Sequence, residues 1–231
     1  MGFFTDSLIS ASQLIFTLDN ELLMIVGVSL KVSLTSTFIA AFIGIPAAFL
    51  ISIKEIPFKR SIITLLNTLL ALPTVVIGLF VYVFISRRGI FGTFDLLYTQ
   101  KAIIIGQIIL IIPIVTTFTI SAISRIDTRY RKTAMTLGAS QFQTAIVILK
   151  EARYGITTAI VAAFGRVISE IGISMMLGGN IHGFTRTMTT AMALQYDKGE
   201  FVLAVALGVI LLSISLCVNI MLNYFQGKSS G

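Results

Sequence analysis

The chain has 231 residues, 56% of them hydrophobic and only 12% charged, against roughly 25% charged in soluble domains. So few charges cannot coat a soluble core, and mean hydropathy is +0.97, which excludes disorder, a nucleic-acid-binding domain and an ordinary soluble enzyme. What remains is an all-α, polytopic membrane protein whose net charge of +7 (17 Lys+Arg against 10 Asp+Glu) belongs to basic loops at a membrane surface.

In chain order, residues 3–20 mix Phe3, Phe4, Leu8, Ile9, Leu14, Ile15 and Leu18 with Asp6, Ser7, Ser10, Ser12 and Gln13. This predicts an amphipathic helix lying on the outer membrane surface, so 1–21 is taken as an external N-terminal segment. Its start carries no positive charge, the first Lys being Lys31, so no cleavable signal peptide is expected. Five apolar stretches follow: Leu22–Ile53, Ile62–Ile85, Ala102–Ser124, Gly155–Leu177 and Phe201–Tyr224. Each is near the ~20 residues that cross a bilayer, and none alternates as a barrel strand would. The expectation is five transmembrane helices within a membrane domain 22–225, followed by a polar cytoplasmic tail, 226–231. Pro46, Pro73 and Pro113 are expected inside spans. Ala40, Ala41, Gly44, Ala47, Ala162, Ala163 and Gly165 are small enough for close helix packing, and Asn67 and Gln107 suit interhelical hydrogen bonds.

Basic residues orient the spans. Lys54, Lys59, Arg60, Arg125, Arg129, Arg131, Lys132, Lys150, Arg153 and Lys228 fall on one side; Arg87, Arg88, Lys101, Arg186 and Lys198 fall on the other. The excess predicts an outside N-terminus and a cytoplasmic C-terminus.

The loop 125–154 is far longer than a connection needs. A short helix from about Thr128 to Leu137, a break at Gly138 and a restart after Ser140 are expected. Glycine takes φ > 0 without steric cost, and serine caps helices. Phe142, Ile146 and Leu149 would share one face of the second helix. Within the fourth span, Arg166 and Glu170 stand four apart on one helix face. Unpaired, each would cost about 2.5–3.5 kcal/mol at the bilayer centre, so the reading is a structural ion pair or a place in the translocation pathway. Met175 and Met176 are candidate gate residues or simple packing, Gly178-Gly179-Asn180 a helix end, and Arg186 a residue on the outer side for contact with a protein or headgroups. His182 and Cys217 are single, so neither a Cys/His zinc cluster nor an intrachain disulfide is expected. The sequence has no assembled catalytic set, no metal cluster and no phosphate-binding Gly-x-x-x-x-Gly-Lys-[Ser/Thr] loop.

The elbow sequence resembles the cytoplasmic "EAA" loop of permeases of ATP-binding-cassette importers. That pattern is Glu-Ala-Ala, three residues, Gly, nine residues, Ile-x-Leu-Pro. Ala134, Gly138 and Ile148 match it; Lys132, Thr133, Lys150 and Glu151 depart from it. Leu137-Gly138-Ala139-Ser140 is similar to the family's "LGAS". Farther on, Gly165-Arg166-x-x-x-Glu170-x-Gly172, then Gly178-Gly179-Asn180-Ile181, resemble molybdate- and tungstate-type permeases, as do Thr185-Arg186 and Gly199-Glu200-Phe201. The resemblance implies a type I importer permease fold and an oxyanion substrate: tungstate first, molybdate or sulfate as alternatives. A passive anion channel is the rival from another class. It also implies a location in the cell membrane, a second copy of the chain, two cytoplasmic ATPase subunits and an extracytoplasmic binding protein. The chain would have no enzymatic activity or cofactor of its own, since ATP is used by the partner. Ala134, Met135, Leu137, Gly138, Ala139, Ser140 and Phe142 would couple to the ATPase.

Overall fold

The computed structural model of the chain describes residues 2–17, 19–53 and 57–227. Every regular element among them is helical: α1 Gly2–Phe16, α2 Asn20–Ile53, α3 Lys59–Leu70, α4 Thr74–Ile85, a 3-10 turn at Gly92–Phe94, α5 Gln100–Ser124, α6 Thr128–Thr136, α7 Gln141–Glu151, α8 Arg153–Ile168, α9 Gly172–Gly178, α10 Met188–Lys198 and α11 Phe201–Gly227. The predicted N-terminal helix is α1, and it packs against α11 through Ala11, Leu14 and Ile15. Of the polar tail 226–231, the first two residues continue α11, and 228–231 lie outside the described residues, as does Lys54.

α2, α5 and α11 are each long and apolar enough to cross a membrane. The other two predicted spans are not continuous helices. α3 and α4 are bent by 101°, and α8 and α9 by 59°, so the count reaches five only when each bent pair is one span. The first break follows from Pro73, which starves the residue before it of helical conformation and opens α4 at φ −61°. Pro46 and Pro113 stay inside α2 and α5, which pack on each other; α3 has no buried side chain to hold it in line. Asn67 is accordingly exposed on α3 instead of bridging helices.

α5 is the central helix, touching α2, α3, α4, α8 and α9. Gly106 permits this crowding, since a Cβ there would sit 2.6 Å from both Ile173 Cγ2 and Leu177 Cδ1 of α9. The main core gathers Ala40, Ile77, Leu110, Ile111, Val115, Ala163 and Val167. Gln107 is buried as expected: its Oε1 accepts from Ser36 Oγ at 2.8 Å, and its Nε2 reaches Val167 O at 3.4 Å. α10 has no counterpart among the expected elements, though its cues are legible in the sequence. Thr187 and Thr190 form a capping box at its start, and Gly199 takes a left-handed conformation at its end.

Candidate functional site

Two places stand out, and both pack against α5. The first is the elbow beyond the C-terminal end of α5. Asp127 caps α6 by accepting from the Arg129 backbone N–H at 2.8 Å, while Arg129 Nε donates to its other oxygen at 2.7 Å. The Arg129 side chain, then that backbone bond, hold the Asp127 carboxyl below the ordinary carboxylate range. α6 ends at Thr136, Gly138 turns the chain at φ +81°, and Ser140 starts α7 with a complete capping box to Gln143. The predicted helix–glycine–helix elbow is therefore present, cap included.

Its packing differs from the expected stripe. Thr144, Ala145 and Ile148 form the buried face of α7, and Ile148 joins Ile123, Ala152, Phe49 and Leu149 under the elbow. Phe142 and Ile146 are exposed, because the face nearest the ends of α2 and α5 is set by the angle at which α7 leaves Gly138. The result is an apolar knob: Leu137 is 82% exposed, Phe142 75%, and Met135 stands beside them. Gly138 and Ser140 are exposed at its crest and Ala139 is half-buried, whereas Ala134 is buried and not on the knob's surface. Leaving two large apolar side chains open on a capped turn is costly unless something covers them.

The second place is the break between α8 and α9. Arg166 lies in the last turn of α8, and Glu170 lies in the break, not in the middle of one helix. The pair exists: Arg166 Nη1 meets Glu170 Oε2 at 2.7 Å. Glu170 Oε1 accepts from the N–H groups of Gly172 at 2.8 Å and Ile173 at 3.3 Å, satisfying donors that a new helix start would orphan. Its carbonyl accepts from Thr189 Oγ1 of α10 at 2.9 Å and Ser174 Oγ at 3.2 Å. Side-chain competition for backbone groups is what ends α8 here.

Glu170 is 3% exposed; the Arg166 side chain is 40% exposed. Arg166 lies 13 residues along α8 from Arg153, about 20 Å, against a hydrocarbon layer of about 30 Å. On α8 it continues the i, i+4 series Tyr154, Thr158, Ala162. Tyr154 and Thr158 line a cleft of about 750 Å³ with Arg125, Tyr130 and Phe118 at the foot of the helix. Beyond the break, Ile171 and Met175 are exposed, while Met176 is half-buried near α4 at Gly78. The methionine pair is thus split between an open surface and a packed one.

At the other end of α5, α9 stops at Gly179 (φ +69°), followed by Asn180 at φ +52°, the helix end expected from the sequence. Arg186 is not open for a contact as expected: it is 12% exposed and turns onto Glu21 Oε1 at 3.4 Å, which His182 Nε2 also meets at 3.1 Å. Met188 N donates to Ser29 Oγ at 2.7 Å, tying the start of α10 to α2.

A helical membrane bundle with broken spans and an apolar elbow beyond its central helix has the form of the membrane-embedded half of a transporter. The profile of the family described as "Binding-protein-dependent transport system inner membrane component" matches residues 40–230. The chain belongs to that family, and is thus a multi-pass inner membrane component and permease of the ATP-binding-cassette class. It is 37% identical over 215 residues to a probable anion ABC transporter permease protein of Haloferax volcanii, covering 91% of this chain and 93% of that one. It is 35% identical over 226 residues to the tungstate uptake system permease protein of Peptoclostridium acidaminophilum, covering 98% and 99%. Its fold is similar to a solved bacterial ABC transporter involved in import of the polysaccharide alginate, with a TM-score of 0.76 at 16% identity, covering 99% of this chain and 84% of that one.

Proposed function

We propose that the chain is the permease subunit of an ATP-driven oxyanion importer whose substrate is tungstate. It works as two copies enclosing one pathway, with the N-terminus outside, and each elbow docks one cytoplasmic ATPase subunit. An extracytoplasmic binding protein delivers the anion. The observation that carries the reading is the elbow: an apolar knob on a rigid, doubly capped turn, at the end of the bundle where Arg125, Arg129, Lys132, Lys150 and Arg153 gather. The basic cluster supports a cytoplasmic elbow, and the open Leu137 and Phe142 support a protein partner there.

The second copy is supported by Arg166. Although it is paired with Glu170, a half-open guanidinium with N–H donors left over is disfavoured against acyl chains. It must face protein or water, and the half-buried lane Tyr154–Thr158–Ala162–Arg166 supplies such a face. An energy source is needed because tungstate is a dianion. Moving two negative charges inward against ~100 mV costs about 4.6 kcal/mol. Similarity to the tungstate permease of Peptoclostridium acidaminophilum supports the substrate.

The test is uptake of labelled tungstate into proteoliposomes holding the permease, its ATPase and its binding protein, with molybdate and sulfate as competitors. Uptake that requires ATP and that tungstate itself competes most strongly is the expected result. Conduction without ATP would make the chain a passive anion channel.

A further inference from the structure

Both oxygens of the Glu170 carboxylate are already committed: Oε1 to the Gly172 and Ile173 N–H groups, Oε2 to Arg166. Arg166 is committed at one nitrogen only. A guanidinium has five N–H donors, and the remaining Arg166 nitrogens have no partner among the described residues. The side chain that carries them is 40% exposed. Its neighbour Ser169 already donates to Gly165 O at 3.0 Å or Arg166 O at 3.2 Å, so its hydroxyl hydrogen is engaged. The break therefore presents unspent guanidinium donors whose charge is cancelled by a buried carboxylate 2.7 Å away.

We propose that Arg166 and Glu170 form a charge-compensated transit site for a tetrahedral oxyanion. The free Arg166 donors hydrogen-bond the anion in passing. Glu170 is a positioning residue that aims the guanidinium and keeps the anion's stay short. A transport pathway must bind well enough to admit the ion and weakly enough to release it. A bare arginine at this depth would hold a dianion tightly, since charge attraction is strong where water is scarce. The paired arginine offers hydrogen-bond direction with little net charge. The proposal rests on the oxyanion-importer reading above, and it makes a prediction that a purely structural pair does not: removing the carboxylate tightens anion binding.

The experiment uses the assembled permease–ATPase complex in lipid nanodiscs and proteoliposomes, with labelled tungstate as the probe. Glu170→Gln keeps an amide oxygen for the Gly172 N–H and removes the charge. The expected result is tungstate retention on the order of tenfold tighter than in the unsubstituted complex, with slower ATP-driven uptake. The double variant Arg166→Gln, Glu170→Gln should lose the added retention. A folded Glu170→Gln complex that retains no more tungstate than the unsubstituted one overturns the proposal. If Glu170→Gln does not fold, Arg166→Gln carries the test, because its amide can still donate to Glu170 Oε2. It should cut uptake on the order of tenfold while ATP hydrolysis continues, and undiminished uptake overturns the proposal. An unsubstituted complex that shows no ATP-driven tungstate or molybdate uptake overturns the importer reading itself, and with it this site.

Discussion

Replacing Gly138 tests whether the elbow's shape, and not merely its sequence, does the coupling. Its φ of +81° lies in the left-handed region, and a Cβ built there meets nothing within 4 Å. The penalty for a side chain is therefore conformational only, about 1–2 kcal/mol for a residue with a Cβ. A cost of that size lowers the population of the native turn roughly 5- to 30-fold. Alanine should sit at the low end, β-branched valine at the high end or beyond, and asparagine, which tolerates this region, near the unsubstituted chain. Because Leu137 and Phe142 flank the turn, affinity for the ATPase should fall in the same order. None of these residues belongs to the main core, so thermal unfolding of the membrane bundle should stay within about 0.5 kcal/mol of its original stability. The assay is ATPase affinity for detergent-purified permease, read beside the unfolding midpoint. Full ATPase affinity in a folded Gly138→Val variant would falsify the docking role. A bundle destabilised as much as the docking would show that Gly138 matters only for folding.

Gly106→Val should destabilise the bundle by about 1–3 kcal/mol, because the new side chain meets Ile173 and Leu177 where even a Cβ is at 2.6 Å; an unchanged melting curve would contradict the close α5–α9 contact. Ser29→Ala removes the acceptor of the buried Met188 N–H and should cost about 1–3 kcal/mol, with faster hydrogen exchange at the start of α10 as the specific sign. Asp127 has a lowered folded pKa, so its contribution to α6 is complete above the unfolded carboxylate value near 3.9 and is lost as pH falls through the lower folded value. Exchange at the α6 amides should therefore quicken in acid beyond its intrinsic rate, and Asp127→Asn should abolish that dependence; the same profile in both proteins would remove Asp127 as its source. A tag after Gly231 should be protected inside intact cells and one before Met1 should be reached by external protease, and the reverse pattern would overturn the proposed orientation.

The sequence alone determined what depends on near neighbours along the chain. Composition specifies a membrane protein; the apolar runs specify where the bundle lies; Gly138, Ser140 and Gln143 specify the elbow, because a left-handed turn and a capping box need only residues within a few positions of each other. The end of α9 at Gly179 was legible for the same reason. The tertiary structure decided what depends on partners distant in sequence. Three prolines read alike, yet two lie inside α2 and α5, which pack together, while Pro73 opens a bend of 101° where α3 lacks buried support. Arg186 reads as a surface cation but turns onto Glu21, 165 positions away. A spacing of four pairs Arg166 with Glu170, as the structure does, but that spacing presumes an unbroken helix. The structure breaks that helix at Glu170, where one side chain takes the N–H groups of Gly172 and Ile173 and its carbonyl takes the hydroxyl of Thr189. Periodicity describes a helix that continues, whereas a buried carboxylate that ends one is decided by which donors the fold brings within reach.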